Sequence, residues 1–412
     1  MSKDPQRLKG GERVASASDG KTQAESALFR TVNAYPVELK KGRGSLVWDE
    51  VGNEYLDFTS GIGVTNLGHV PERVKRAVSR QLEEVWHVSN LFRNRNKEEA
   101  ARRVVDLSVA DAVYFCNSGA EANEAAIKLA RRYHQLVLGT GNHEIVSLER
   151  SFHGRTLATL TATGMDKPKE GAGPLPEGFR SIPVEFEAMK EAVTDRTAAV
   201  ILEPVLGQGG VRPLPKEFMA ETERLCRERG ALLIVDEVQT GIGRTGKLFA
   251  YEHYDIEPDV ITLAKGLASG LPVGAMLAKG KYRDAFVPGS HGSTLGGNPI
   301  VMAAVEETLA MLTEEGIAER AAESGDYLMG RLRMVLTGRK PIEEVRGKGL
   351  MIGIACDRPV APLIEIARKR GLLAITAGPN VIQLLPNLLV SREEMDRAVL
   401  LLASAIDEWE SI

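Results

Sequence analysis

Residues 231–274 read ALLIVDEVQTGIGRTGKLFAYEHYDIEPDVITLAKGLASGLPVG, and the reading of this stretch decides the fold. A short aliphatic run, Ala231–Val235, ends in Asp236-Glu237-Val238-Gln239; a second, Val260–Ala264, ends in Lys265. Both have the length and composition of buried strands, so a carboxylate and an amine arrive at one edge of a sheet. Burying either charge is costly unless something uses it. A pyridine-aldehyde cofactor uses both. Lysine forms a Schiff base, and aspartate keeps the ring nitrogen protonated so that the ring accepts electrons. The alternative is a structural Asp–Lys ion pair beneath a loop, and the rest of the chain decides between the two.

The same strand pattern recurs upstream. Ala112–Cys116 (AVYFC) reads as a strand that turns through Asn117-Ser118-Gly119-Ala120 into a helix, Glu121–Arg132. Ala122, Ala125, Ala126 and Leu129 supply that helix with its apolar stripe. Ser118 is placed to cap it, with Glu121 three residues on to complete a capping box. Free N–H groups and the positive end of the helix dipole make this turn an anion site, fit for a phosphate; a merely well-capped helix is the plainer reading. Glu144–Leu148 and Ala198–Leu202 are further aliphatic strands, and Phe218–Arg229 is a helix stopped by Gly230. Such alternation predicts an α/β fold with a mostly parallel sheet covered on both faces. Ligands in such sheets bind beyond the carboxyl ends of the strands. Glu203, Asp236 and Lys265 each lie just past such an end, and Arg155 lies shortly beyond Glu144–Leu148.

The flanks read differently. Ala34–Asp57 alternates around turn signals and predicts a small β-meander; Thr59–His69 is glycine-rich loop and Pro71–Val85 a helix. A long helix, Ile300–Leu312, leaves the large domain, and strands are expected at Val345–Ile354 and Val381–Leu385. The expected division is a mobile N-terminal tail over 1–26, part of a small domain over 27–70, a large domain over 71–315 and the remaining small domain over 316–412. At 412 residues there is room for both. With 52 Lys and Arg against 56 Asp and Glu, the net charge is −4, which argues against nucleic acid as a partner. No apolar run reaches the roughly 20 residues that span a bilayer. Cys116, Cys226 and Cys356 are far apart and match no metal-binding spacing, which points to no metal and to a reducing, cytoplasmic setting. The N-terminus lacks the apolar core of a signal peptide, and Asp4, Glu12 and Asp19 argue against a transit peptide.

Gly241-Ile242-Gly243-Arg244-Thr245-Gly246 matches GxGxxG, the fingerprint of nicotinamide enzymes. It begins too far past its strand, and KLFAYEHYDIEPD after it is no apolar-striped helix for a pyrophosphate. An NAD-dependent oxidoreductase is therefore disfavoured.

Six motifs, in order, carry a resemblance: Asn117–Asn123 (NSGAEAN), Ser151–Arg155 (SFHGR), Glu203–Gly210 (EPVLGQGG), Asp236–Gly246, Ala264-Lys265-Gly266 and His291–Pro299 (HGSTLGGNP). From about Phe29 onward the chain resembles the class III, ornithine-type aminotransferases, which are fold-type I pyridoxal 5'-phosphate enzymes. Within the class, Gly61–His69 and His87–Phe92 look most like the acetylornithine aminotransferases. The resemblance implies a large domain with a mostly parallel sheet and a smaller α+β domain built from both chain ends. It implies transfer of the δ-amino group of N2-acetylornithine to 2-oxoglutarate in arginine biosynthesis. Other ω-aminotransferases of the class, using succinylornithine, ornithine, 4-aminobutyrate or a lysine derivative, are the nearest alternative. A cofactor-free scaffold is disfavoured because Lys265 and Asp236 are both intact.

By the same resemblance Lys265 holds the cofactor and shuttles the proton, and Asp236 pairs with the ring nitrogen. Gln239 reaches the ring hydroxyl oxygen, while Val238 and Phe152 sandwich the ring. Ser118, Gly119 and Ala120 form the phosphate cup, with alanine where the family has threonine. Thr294 is implied to reach the phosphate from a second subunit of a homodimer, and Ser293 to lie beside the substrate. Arg155 grips a substrate carboxylate, for which a bidentate fork suits better than a lysine. Glu203 resembles a switch carboxylate that holds an arginine aside. Here the chain departs from its relatives: Val381–Pro386 reads VIQLLP, placing neutral Gln383 where they carry that arginine. Substrate choice is expected to rest on the loops around Ile62, Asn66 and Ser293.

Overall fold

Seven strands form the central sheet: β1 (Ala112–Cys116), β2 (Glu144–Leu148), β3 (Phe179–Ile182), β4 (Thr197–Leu202), β5 (Leu232–Asp236), β6 (Val260–Leu263) and β7 (Gly274–Ala278). Their order across the sheet is β1-β7-β6-β5-β4-β2-β3. The structure, a computed structural model, describes residues 27–411, so the tail expected over 1–26 lies outside the described residues. The stretch 27–38 belongs to a unit of its own and holds no helix or strand; every sheet belongs to the second unit, from Leu39 onward.

All neighbours in the central sheet run parallel except at β7, which is antiparallel to both β6 and β1. Every residue of β4, β5, β6 and β7 is buried, as a sheet covered on both faces requires. β5 includes Asp236 itself, opposite Thr262 of β6, so the carboxylate leaves the sheet at the last hydrogen-bonded position. The β3 and β7 strands are additions to the sequence reading. β7 (GAMLA) carries no β-branched or aromatic residue and follows a glycine- and proline-containing turn, which masks its strand character.

Two four-stranded sheets accompany this core, besides a two-stranded pair, Val205–Leu206 with Arg212–Pro213. Leu39–Arg43, Leu46–Asp49 and Glu54–Asp57 form the expected antiparallel meander, and Leu372–Leu373 joins it in parallel beside Leu56 and Asp57. The two chain ends thus share one sheet. The predicted strand Val345–Ile354 is instead a hairpin, Ile342–Lys348 against Met351–Cys356, because Gly349 adopts a left-handed φ of 54° between them. Val381–Leu384 pairs with its second strand. The long helix spans Pro299–Glu314, with Asn298 capping its start through a bond from the Val301 N–H (3.0 Å).

The glycine-rich stretch 241–246 opens no helix; only a short 3-10 turn, Ala250–His253, comes after it. Gly246 (φ 89°) lies so close to Ala322 that a Cβ would sit 2.7 Å from its methyl, which makes this a packing turn. Among the described residues no helix is long and apolar enough to cross a membrane.

Candidate active site

The carboxyl ends of the parallel strands open into a cavity of about 450 Å³. Asn117, Ser118, Gly119, Ala120, Phe152, Arg155, Glu203, Asp236, Val238, Gln239 and Lys265 all line it. The reason is topological: each of these residues follows a strand of the same sheet, so the motifs converge although the chain scatters them over 150 positions or so.

Asp236 is almost fully buried, and its charge is met on both oxygens. Oδ1 accepts the Val238 N–H (3.0 Å); Oδ2 accepts Asn123 Nδ2 (2.7 Å) and lies 2.8 Å from His153 Nδ1. A carboxylate only accepts, so His153 carries its proton on Nδ1. Asn123 is itself held by Thr262 Oγ1 (2.7 Å) and by the His153 carbonyl (2.8 Å). Sequence reasoning did not single out His153, Asn123 or Thr262. The signal was there for the first two, which sit inside SFHGR and NSGAEAN, but nothing in the order of residues says that they face Asp236.

Lys265 stands at the start of a 3-10 turn, Lys265–Ala268, in a left-handed conformation (φ 42°) that a side-chain-bearing residue adopts only at a cost. Burial pushes its amine down to about 8, with Arg244 acting in the same direction while Glu203 and Asp236 oppose it. Glu203 accepts the N–H groups of Phe152 (2.8 Å) and Gly207 (3.3 Å). Burial raises its carboxyl to about 7; His153 opposes and Asp236 adds.

Gly119 opens the helix Gly119–Arg132, and Ser118 Oγ caps it by accepting the Glu121 N–H (3.2 Å). The capping box is not completed. Glu121 turns its carboxylate to Asn117, taking both the backbone N–H and the side-chain amide (2.9 Å), so it braces the turn before the cap instead. The Gly119 and Ala120 N–H groups have no protein acceptor among the described residues, and both residues line the cavity. A Cβ on Gly119 would stand 2.7 Å from Val238 Cγ1, so only glycine fits between the helix start and that side chain. Phe152 lines the cavity nearby, with the Arg155 guanidinium 5.5 Å from its ring centroid.

Gln383 is buried and donates from Nε2 to Gln239 Oε1 (3.1 Å), so Gln239 keeps its own amide N–H groups free for the cavity. The residues from 291 onward stand apart. Ser293 Oγ accepts Asn117 Nδ2 (3.0 Å) outside the cavity, and Thr294 is exposed in a separate shallow groove. Neither Ile62, which is exposed, nor Asn66 lines the cavity; from that loop only Val64 does. Asn66 is buried and engages Arg244 and the Ile242 carbonyl instead.

The cavity's residues fit pyridoxal phosphate on structural grounds. Two unpaired N–H groups at a helix start suit a phosphate, a buried carboxylate suits a protonated ring nitrogen, and a low-pKa amine suits an aldehyde.

Residues 29–406 match the family model for Aminotransferase class-III. The chain is 49% identical to an acetylornithine aminotransferase of Bacillus subtilis (strain 168), over 94% of this chain and 99% of that protein. It is 45% identical to one from Methanothermobacter thermautotrophicus, covering 92% of this chain and 96% of that protein. Among solved structures, an N-acetylornithine aminotransferase of Stenotrophomonas maltophilia superimposes with a TM-score of 0.81 at 34% identity, covering 92% of this chain and 97% of that one. An ornithine aminotransferase of Toxoplasma gondii gives 0.90 at 32% identity, covering 93% and 92%.

Proposed function

Because the chain belongs to the class III aminotransferases, which are pyridoxal phosphate enzymes, we propose the amino-group exchange that it performs. It takes the δ-amino group of N2-acetylornithine, leaves N-acetylglutamate 5-semialdehyde, and passes the amine to 2-oxoglutarate to give glutamate, a step of arginine biosynthesis in the cytoplasm. The observation that carries this reading is the convergence of Lys265, Asp236 and a free helix start on one cavity, in a chain about half identical to acetylornithine aminotransferases.

When bound, the cofactor supplies an electron sink for the pair left as a substrate C–H bond breaks. The protein does the rest. Lys265 Nζ would hold the cofactor and would carry the proton away from the substrate δ-carbon, a task suited to an amine with a pKa of about 8. Asp236, fixed by Asn123 and His153, would keep a proton on the ring nitrogen. Ser118, Gly119 and Ala120 would hold the phosphate; Phe152 and Val238 would flank the ring, and Gln239 would donate to its hydroxyl oxygen. Arg155 receives the substrate carboxylate.

Half-reaction spectroscopy tests the assignment. N2-acetylornithine is expected to bleach the yellow band of the loaded protein faster than ornithine, succinylornithine or 4-aminobutyrate. A faster rate with one of those amines would overturn the assigned donor. Restoring the band with 2-oxoglutarate tests the other half. With Gln383 in place of an arginine, Glu203 has only backbone N–H partners among the described residues, and the α-carboxylate of glutamate lacks a charged fork. Gln383→Arg is therefore expected to lower the KM for 2-oxoglutarate by about tenfold, the scale of one added charge-assisted bond. An unchanged KM would remove Gln383 from acceptor binding.

The protein works as a homodimer in this reading, with Thr294 of a second copy closing the phosphate cup, since Thr294 does not line its own chain's cavity. Mixed and co-refolded Lys265→Ala and Thr294→Glu chains should then regain up to about a quarter of the native activity, because half of the chains' random pairs rebuild one intact site. A mixture as inactive as its components would exclude shared sites.

A further inference from the structure

Arg244, in the glycine-rich turn that heads no helix, is completely buried. Among the described residues its guanidinium forms no ion pair. It donates to the carbonyls of Leu350 (3.1 Å) and Pro386 and to Asn66 Oδ1 (2.7 Å), and its Nε has no partner among the described residues. A buried cation satisfied only by neutral oxygens is an expensive way to tie loops together, since a neutral donor would serve at lower cost. The charge and the fork therefore call for a further role.

Asn66 shows where the fork acts. Its amide is held from both ends, Oδ1 by Arg244 and Nδ2 by donation to the Ile242 carbonyl (2.8 Å), while its own carbonyl accepts the Leu388 N–H (2.7 Å). Thus fixed, the amide lies flat against Gly266: a Cβ there would stand 2.3 Å from Asn66 Nδ2 and 2.5 Å from its Cγ. Gly266 directly follows Lys265, whose left-handed φ must be imposed from outside.

We propose that Arg244 and Asn66 are positioning residues for Lys265: the guanidinium pins the Asn66 amide as a wedge on the Gly266 backbone, and the wedge holds Lys265 in the turn from which its amine enters the cavity. The buried guanidinium has a second effect on the same amine. Among the charged groups around Lys265, Glu203 and Asp236 favour its protonated form, while burial and Arg244 oppose it. Arg244 itself, pushed down to about 9 by burial, remains charged at neutral pH.

The inference rests on Lys265 being the residue that holds the cofactor. Its test uses the loaded protein and the variants Asn66→Ala, Arg244→Lys and Arg244→Gln. Three quantities are read: kcat against KM for the amine donor, the pH midpoint of the visible absorbance, and the melting temperature. Asn66→Ala and Arg244→Lys should each lower kcat by about tenfold or more with KM nearly unchanged, as a misplaced reacting group does. Arg244→Gln should move the absorbance midpoint up, because the Lys265 nitrogen loses a neighbouring positive charge, and Arg244→Lys, which keeps the charge, should leave it in place. A wholly structural pair would lower the melting temperature without moving the midpoint or separating kcat from KM. That result, or a folded Asn66→Ala protein with native kcat, overturns the proposal, and Asn66→Ala decides it alone if the arginine variants do not fold. Failure here leaves the yellow band intact, whereas failure of the Lys265 assignment would leave the colour of a Lys265→Ala protein resistant to dialysis.

Discussion

Lys265→Ala is expected to lower kcat by about four orders of magnitude, because one substitution removes both the covalent anchor and the proton carrier. Steady-state turnover of N2-acetylornithine checks this, and the colour of the variant should be lost on dialysis; residual turnover within about a hundredfold of native would place the proton transfer elsewhere. The depressed amine pKa adds a pH signature. In the cofactor-free protein the amine falls from an ordinary 10.5 to about 8, so capture of the aldehyde should accelerate as pH rises through 8. The sign for stability comes from proton counting. Between about 8 and 10.5 the unfolded chain holds a proton that the folded chain has released, so the cofactor-free protein gains stability as pH climbs across that window. Lys265→Ala should diminish this gain, leaving the part that buried Arg244 contributes, as seen in denaturant midpoints measured at pH 7.5 and 10.

Asp236→Ala is expected to cost about three orders of magnitude in kcat, since the ring nitrogen then loses the charge that keeps it protonated. The loss should fall on kcat far more than on KM, because the ring's electron demand matters in the transition state rather than on binding. Removal of the carboxylate also strands Asn123 Nδ2 and His153 Nδ1, two buried donors aimed at it. The variant should therefore melt at a lower temperature as well. A conservative Asp236→Glu change keeps the charge but lengthens the arm, and it should recover part of the activity. If Asp236→Ala retains more than about a tenth of native kcat, the ring nitrogen is served by another group.

Much of this site was legible in the residues because strand ends announce themselves. Aliphatic runs stopping at Asp236 and near Lys265, and a capped helix at Ser118, already placed a carboxylate, an amine and an anion cup on one sheet edge. The surroundings of these groups were not legible. His153 and Asn123 come from a loop after β2 and a helix after β1, and their meeting on Asp236 depends on sheet order, which periodicity does not encode. The order itself was hidden by β7, a reversed strand of small residues inserted between β1 and β6. Val345–Ile354 shows the opposite failure. Its apolar alternation is continuous enough to read as one strand, and only the backbone reversal at Gly349 makes it two. Asn66 sits in a glycine-rich loop that suggests ligand contact, yet its bonds to Arg244 and Ile242 are made across nearly 180 residues, a separation beyond any local pattern.

The pairing of Glu54–Asp57 with Leu372–Leu373 has a consequence for biogenesis. About three hundred residues of chain separate these strands, so the amino-terminal meander leaves the ribosome long before its fourth strand exists. At roughly 5–20 residues per second, that edge waits about 15–60 s with its backbone groups open to other nascent chains.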